Sequence, residues 1–241
     1  VDIREQQQAT STTRHPWERA RRRVVQRLVA RHAPTAHVIV DIGAGDGFVG
    51  EAFVEHGCHV VAVDPAASGD HLQRLRTLGI DARTSLPDDN GADVALLLDV
   101  IEHVSDDVAL LKQAAQQVTA RGIVVVTVPA WPALFSTHDT ALGHHRRYTQ
   151  ASLRAAIAAS GLELVDDGAL FSSLLLPRAL QVVRERWAPP SAPSTVGVGQ
   201  FTAPAVVATA LAAILDVDAH LTQRLHLPGL SLFAVARQKR S

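Results

Sequence analysis

The chain is poor in the residues that build disulfide frameworks, soft metal sites and basic surfaces. Its 241 residues include one cysteine, no methionine, one tyrosine and a formal net charge of −1. A single thiol, Cys58, forms no internal disulfide and no cysteine-rich zinc site, which suits a reducing compartment; it is read as a buried apolar side chain. The near-zero charge gives no general attraction to nucleic-acid phosphates. Lysine occurs only at Lys112 and Lys239, so the positive charge is carried by arginine. No charged-then-apolar leader and no unbroken apolar run of about 18 residues occurs, and a soluble, cytoplasmic protein is expected. The absence of methionine even at position 1 suggests a processed start.

What is present is a 47% hydrophobic composition distributed in alternating patterns. From Pro16, a basic amphipathic helix places Val24, Val25, Leu28 and Val29 on one face and Arg22, Arg23, Arg27 and Arg31 elsewhere, with Pro34 ending it. Short β-branched runs then alternate with helical ones. Strands are expected at 37–42, 59–63, 80–85, 93–100 and 123–128, and helices at 49–56, 71–78 and 106–119. This alternation implies a doubly wound α/β fold: a mostly parallel sheet with right-handed crossovers and helices on both faces. Beyond it come a helix at 150–160 and a strand from Leu162. An apolar helical stretch at 171–187, interrupted by Pro177, leads to a Pro/Ser/Gly-rich segment at 188–200. A long helix from Pro204 toward Leu225 and a last strand at 231–236 complete the pattern. One domain, 1–241, is expected, with an N-terminal helical segment at 1–36 and a helical insertion or lid at 171–227.

The first strand breaks into Asp41-Ile42-Gly43-Ala44-Gly45-Asp46-Gly47. Glycines are required where the backbone turns sharply at the carboxyl end of a parallel strand and lets a ligand approach. A dinucleotide G-x-G-x-x-G can be traced from Gly45 to Gly50, but it begins two residues after the strand has broken, whereas D-x-G-x-G-x-G fits from Asp41. Asp64, before Pro65, ends the second strand where a carboxylate can accept both ribose hydroxyls. The fourth strand runs into Asp99-Val100-Ile101-Glu102-His103.

Over roughly residues 38–128 these motifs resemble the class I S-adenosylmethionine-dependent methyltransferases. The resemblance implies a seven-stranded sheet with a reversed last strand and a helical insertion before it. It also implies S-adenosyl-L-methionine as cofactor, held by Asp41, Gly43, Ala44, Gly45, Gly47, Asp64, Pro65, Asp99 and Val100. The family's acidic adenine-binding position after the third strand is missing here, and Thr84 with its neighbouring backbone stands in.

Methyl transfer from a sulfonium is an in-line displacement; the protein aligns the acceptor, excludes water and removes a proton where needed. The loop after the fifth strand lies over the cofactor crevice and carries Trp131, His138, Asp139, His144, His145, Arg146, Arg147 and Tyr148. Either His138 or His144 is a candidate general base, with Asp139 to orient an imidazole. Arg146 or Arg147 is a candidate clamp for an anionic group, or a partner for Asp99 or Glu102. Tyr148 packs or hydrogen-bonds the substrate. The loop resembles a W-P-x-L-F-S-x-H-D-x-x-L-G-H-x-R-R-Y-T pattern found in relatives of the quinone-pathway O-methyltransferases. Some of those relatives use a divalent ion near the acidic-Glu-His segment. No tight ligand spacing enforces one among Asp99, Glu102, His103, His138, Asp139 and His144, and no metal is expected.

The expected activity is O- or N-methylation of a small molecule with an apolar body and a polar or anionic end. The alternatives are a non-methylating, metal-assisted reaction in the same pocket, or a catalytically inactive cofactor-binding partner. A nucleic-acid acceptor is disfavoured by the charge balance and by the absence of an Asn-Pro-Pro-Tyr-like motif where Asp99-Val100-Ile101-Glu102 stands. No integral membrane segment is expected.

Overall fold

A computed structural model describes residues 14–88, 91–187 and 204–239. Seven strands form one sheet: β1 (Val38–Ile42), β2 (His59–Val63), β3 (Asp81–Arg83), β4 (Ala92–Leu98), β5 (Val118–Pro129), β6 (Leu162–Leu170) and β7 (Ser231–Gln238). Their spatial order is β3-β2-β1-β4-β5-β7-β6. β1 to β5 pair in parallel, and β7 runs antiparallel to both β5 and β6. The helices are α1 (Pro16–His32), α2 (Phe48–Val54), α3 (Gly69–Thr77), α4 (Asp107–Gln117), α5 (Thr137–Leu142), α6 (Gln150–Ala159), α7 (Leu175–Trp187) and α8 (Ala205–Arg224).

The central strands are apolar throughout because helices cover both faces of the sheet. Residues alternate along each strand into two cores. Ile39, Val94, Leu96 and Val125 pack under α1 and α8, while Val40, Ala95, Leu97 and Val126 pack under α4 and α6. The chain leaves β1 toward β2 on one side and reaches β4 on the other, so a crevice opens between the carboxyl ends of β1 and β4, the topological switch point. Ile42 pairs with Leu97, which sets Gly43 level with Leu98 and Asp99 just beyond at its mouth.

Several boundaries differ from the sequence pattern. β5 begins at Val118, and α4 stops at Gln117; Gly122 sits where a Cβ would meet Val118 at 2.7 Å, so the chain can extend there without a loop. Pro177 does not interrupt its helix. α7 begins at Leu175, after a short 3-10 turn at Ser172–Leu174, and the proline falls in the first turn, where no N–H is needed. The loop after β5 contains a further helix, α5, whose capping box joins Ser136 and Asp139. Cys58 is half-buried, and its thiol donates to the carbonyl of Ala36 at 3.5 Å, so it is less enclosed than a core thiol. The expected 188–200 segment lies outside the described residues.

α8 is long and apolar enough, by length and composition, to cross a membrane, with a mean hydropathy of 1.5. Here Ala208, Ala212, Leu215, Ala219 and Thr222 are buried, and Arg27 of α1 pairs with Asp216 at 2.7 Å. The helix therefore lies on the fold as a mostly exposed surface element. Its other face leaves Val206, Val207, Leu211, Ile214, Val217 and Leu221 exposed.

Candidate functional site

The glycine loop lies at the carboxyl end of β1. Gly43, Gly45 and Gly47 all have positive φ, at 73°, 56° and 79°. At Gly43 both constraints apply: a side chain would be strained by φ, and its Cβ would come within 2.7 Å of Val100. Val100 thus packs directly over the loop, and Gly43 N–H donates to the carbonyl of Val63 at the end of β2. Asp64 follows that strand; it is buried, and one carboxylate oxygen accepts from Ala66 N–H at 2.9 Å, a turn that fixes the residues around Pro65. Thr84 is exposed just beyond β3. Asp41 is buried within β1, and burial, with Asp46 nearby, pushes its carboxyl up to about 6, while Arg21 opposes the shift.

Helix α1 supplies residues to this crevice that were not among those expected from the sequence. At helical spacing Trp17, Arg21, Val24, Val25 and Leu28 share one side. Arg21 is 4% exposed, although it is an arginine. It donates to the carbonyl of Leu98 at 3.2 Å and pairs with Asp99 at 2.8 Å. That ion pair lacks the alignment of a hydrogen bond, so Arg21 Nε and Nη1 and Asp99 Oδ2 are buried without a hydrogen-bond partner among the described residues. Asp99 itself has a φ of 56°, an uncommon conformation for a non-glycine residue and one that clusters at ligand sites. Arg14 pairs with Asp46 of the glycine loop, and the guanidiniums of Arg14 and Arg22 lie over the Phe48 ring at 4.4 and 4.6 Å. The cleft is lined by Glu18, Arg21, Asp41, Gly43, Ala44, Asp46, Phe48, Val49 and Leu98. The cleft thus holds both signs of charge, the Arg21 guanidinium and the Asp41 and Asp99 carboxylates, with Arg21 Nε lacking a hydrogen-bond partner among the described residues. The signal was available in the sequence, because an arginine one turn before Val24 and Val25 falls on an apolar face.

The second half of the site is the loop that returns after β5. Asp139 is its centre, with 0% exposure. Its carboxylate accepts from Arg147 Nε at 2.7 Å, His144 Nδ1 at 3.0 Å, Ser136 N–H at 3.0 Å and Arg178 Nη2 of α7 at 3.2 Å. Burial alone would raise this carboxyl, but the hydrogen bond from His144 and the Arg147 guanidinium hold it well below the usual carboxylate range. An ionised carboxylate only accepts, so the proton of a neutral His144 is assigned to Nδ1 and the lone pair to Nε2. His144 packs edge-on to His103 at 4.6 Å between centroids. His138 is half-buried, and burial followed by the Arg178 charge lowers its pKa.

The other predicted loop residues are tied to the frame. Arg146 pairs with Asp107 at 3.2 Å and donates to the carbonyls of Val104 and Ser105. Arg147 also donates to the carbonyl of Ala130. Tyr148 is buried and donates to Asp107 at 2.7 Å; burial and that carboxylate raise its pKa. The two arginines therefore pair with Asp107 and Asp139 rather than with Asp99 or Glu102. His145 is exposed, and its N–H donates to the carbonyl of Glu102 at 2.7 Å, which brings the loop against the segment after β4.

Glu102 is fully buried, and neither carboxylate oxygen has a hydrogen-bond partner among the described residues. Burial, then the charge of Asp99, raises its pKa well above the ordinary range. Ligand atoms of Glu102, His103 and His144 lie within 4.8 Å of one another, close enough to share a cation. A wider hollow of about 940 Å³ lies around β6 and the turn at Pro228-Gly229; it includes Trp131 and Tyr148 but no glycine-loop residue, so it is separate from the glycine-loop crevice.

Comparison with known proteins bears on this arrangement. Residues 14–167 match the model of a family described as a methyltransferase domain. An uncharacterized methyltransferase of Mycobacterium sp. (strain KMS) is 30% identical over 179 residues, covering 64% of this chain and 69% of that protein. A ubiquinone biosynthesis O-methyltransferase of Rhodopseudomonas palustris (strain TIE-1) is 33% identical over 96 residues, 36% of this chain and 38% of that one. Among solved structures, the (4+2)-cyclase SpnF superposes with a TM-score of 0.59 at 19% identity, covering 97% of this chain and 86% of the other, which is a likeness of fold.

Proposed function

Because the chain belongs to the methyltransferase domain family, we propose that it transfers a methyl group from S-adenosyl-L-methionine to a small molecule by O- or N-methylation. The observation that carries this reading is the buried Arg21–Asp99 ion pair beside a left-handed glycine loop, with Arg21 Nε buried without a hydrogen-bond partner among the described residues. Arg21 would take the carboxylate of the cofactor's methionine part, and Asp99 and Asp41 its ammonium group. Asp64 would take the ribose hydroxyls, with Pro65, Thr84 and Val100 bounding the adenosine. When bound, the cofactor supplies an electrophilic methyl group that needs a neutral or deprotonated acceptor in line with it.

This chain's contribution is then proton removal and alignment. Among the candidate bases, His144 has its Nδ1 engaged by Asp139, which leaves Nε2 to accept the acceptor's proton. Asp139, Arg147 and Arg178 act as positioning residues, and Arg146 and Tyr148 fix the loop through Asp107. Helix α7, joined to the loop through Arg178, serves as a wall of the acceptor site, which suits an acceptor with an apolar body. Because a ubiquinone biosynthesis O-methyltransferase is among the similar proteins, compounds of ubiquinone biosynthesis are the first acceptors to screen.

Calorimetric titration with S-adenosylhomocysteine is expected to give a one-site isotherm; no heat would remove the proposal. With any acceptor turned over, His144→Gln is expected to lower the rate by about 10² to 10⁴, the usual worth of a general base, and to leave S-adenosylhomocysteine affinity within about twofold. A loss below about tenfold would place the base elsewhere, with His138 next.

A second reading, metal-assisted chemistry in the same crevice, is favoured by the buried Glu102 carboxylate, without a hydrogen-bond partner among the described residues, beside His103 and His144. It predicts one equivalent of tightly held Mn²⁺ or Zn²⁺ by elemental analysis, lost in Glu102→Gln, and turnover abolished by chelation and restored by the ion. Full activity in the metal-stripped protein would dismiss it.

A further inference from the structure

Helix α7 has two faces with different tasks, and only the inner one is explained by the site. That face buries Arg178 and Val182, and through Arg178 it grips Asp139. The outer face carries Leu176, Leu180, Val183 and Trp187, which are 67%, 61%, 52% and 86% exposed. Scattered exposed apolar residues are ordinary, but a stripe of four at helical spacing is not.

The charges on α7 are arranged around that stripe. With about 100° of rotation per residue, the four apolar residues fall within roughly 60° of arc, Arg184 and Arg186 lie about 70–90° to either side, and Glu185 lies nearly opposite. The structure agrees: Arg184 and Arg186 are exposed, whereas Glu185 is turned inward, where it accepts from Gln181 at 3.0 Å and Thr137 at 3.4 Å. The solvent-facing part of α7 thus offers an apolar ridge between Arg184 and Arg186, the latter also donating to the carbonyl of Ala133 at 2.7 Å, with its acid withdrawn. At 13 residues the helix is about 20 Å long, too short to span a bilayer and suited to lying in its surface. A tryptophan at one end, with an apolar ring body and a polar N–H, is also suited to the headgroup boundary.

We propose that the outer face of α7 docks the protein on a lipid bilayer bearing anionic headgroups, with Leu176, Leu180, Val183 and Trp187 in the acyl boundary and Arg184 and Arg186 at the headgroup phosphates. Charge complementarity selects this occupant over a second copy of the chain, since two such faces brought together would oppose arginine to arginine. Because the same helix holds Asp139 through Arg178, docking sets the bilayer against the acceptor side of the site and gives lipid-dissolved molecules a short route to it. The proposal stands without the methyltransferase reading, since it concerns where the chain sits.

The test is flotation of the full chain with vesicles of phosphatidylcholine containing about 30% phosphatidylglycerol. Flotation with these vesicles is expected, together with a blue shift of tryptophan emission that Trp187→Phe removes. Leu180→Glu is expected to lower the bound fraction at least about tenfold at an unchanged melting temperature. Should that variant melt early, Arg184→Glu decides: binding to the anionic vesicles falls about tenfold while its melting temperature is kept. No flotation, flotation equal to wild type in both variants, or a dimer by light scattering that Leu180→Glu splits would overturn the proposal, the last assigning the face to a second copy.

Discussion

Replacing Asp139 by alanine is expected to cost about 3–5 kcal/mol of folding stability, the usual cost of removing one partner from a buried ion pair. The change strands two guanidiniums, Arg147 and Arg178, each 9% exposed, together with the Nδ1–H of His144 and the N–H of Ser136. At roughly 2–4 °C per kcal/mol for a chain of this size, the melting temperature should fall by about 10 °C. The loss should come with a loosened loop, read as faster hydrogen exchange across 136–148. The acid limb of the wild-type stability curve carries the same information. Since Asp139 is held below its unfolded value, its contribution is whole above about pH 4 and declines as the pH falls toward the folded value. The alanine variant should lose that part of the acid dependence. A melting temperature within about 2 °C of wild type would show that the clamp does not organise the loop.

The second large effect belongs to Arg21. Arg21→Ala is expected to weaken S-adenosylhomocysteine binding about 100-fold, corresponding to roughly 2.7 kcal/mol, within the range for truncating one member of a buried, hydrogen-bonded charge pair. The interaction assigned to it is with a carboxylate, so affinity for 5′-methylthioadenosine, which lacks that group, should change less than about threefold. Arg21→Lys should recover only part of the loss, since an ammonium cannot present the planar fork. Arg23→Ala serves as control: Arg23 is exposed on α1 and does not line the cleft. Equal losses for both ligands would mean that Arg21 holds the shape of the cleft rather than the methionine carboxylate.

Of the two halves of the site, the glycine loop was the easier to read. Strand periodicity located β1, and three glycines within five residues can follow a buried strand for few reasons other than a tight turn open to a ligand. The resemblance then supplied the reversed last strand, which β7 shows in its antiparallel pairing with β5. The loop after β5 announced its concentration of histidine, arginine and carboxylate, yet composition could not say which of these groups meet. Arg146 and Arg147 are adjacent in sequence and go to different acids, Asp107 and Asp139, because successive residues of an extended segment point to opposite sides. Arg178 lies 39 residues from Asp139, and no local pattern could join them.

By itself the sequence determined that the chain forms an alternating α/β sheet and that its first strand ends in Gly43, Gly45 and Gly47 with a carboxylate at Asp64 to follow, because periodicity and backbone conformation are local properties. Tertiary structure alone decided that α1 folds back over that loop to place Arg21 against Asp99, that Asp139 rather than Asp99 receives Arg147, and that the Glu102 carboxylate is buried without a hydrogen-bond partner among the described residues. These depend on which distant side chains share one low-dielectric space, where a charge must find its opposite or be held for a ligand.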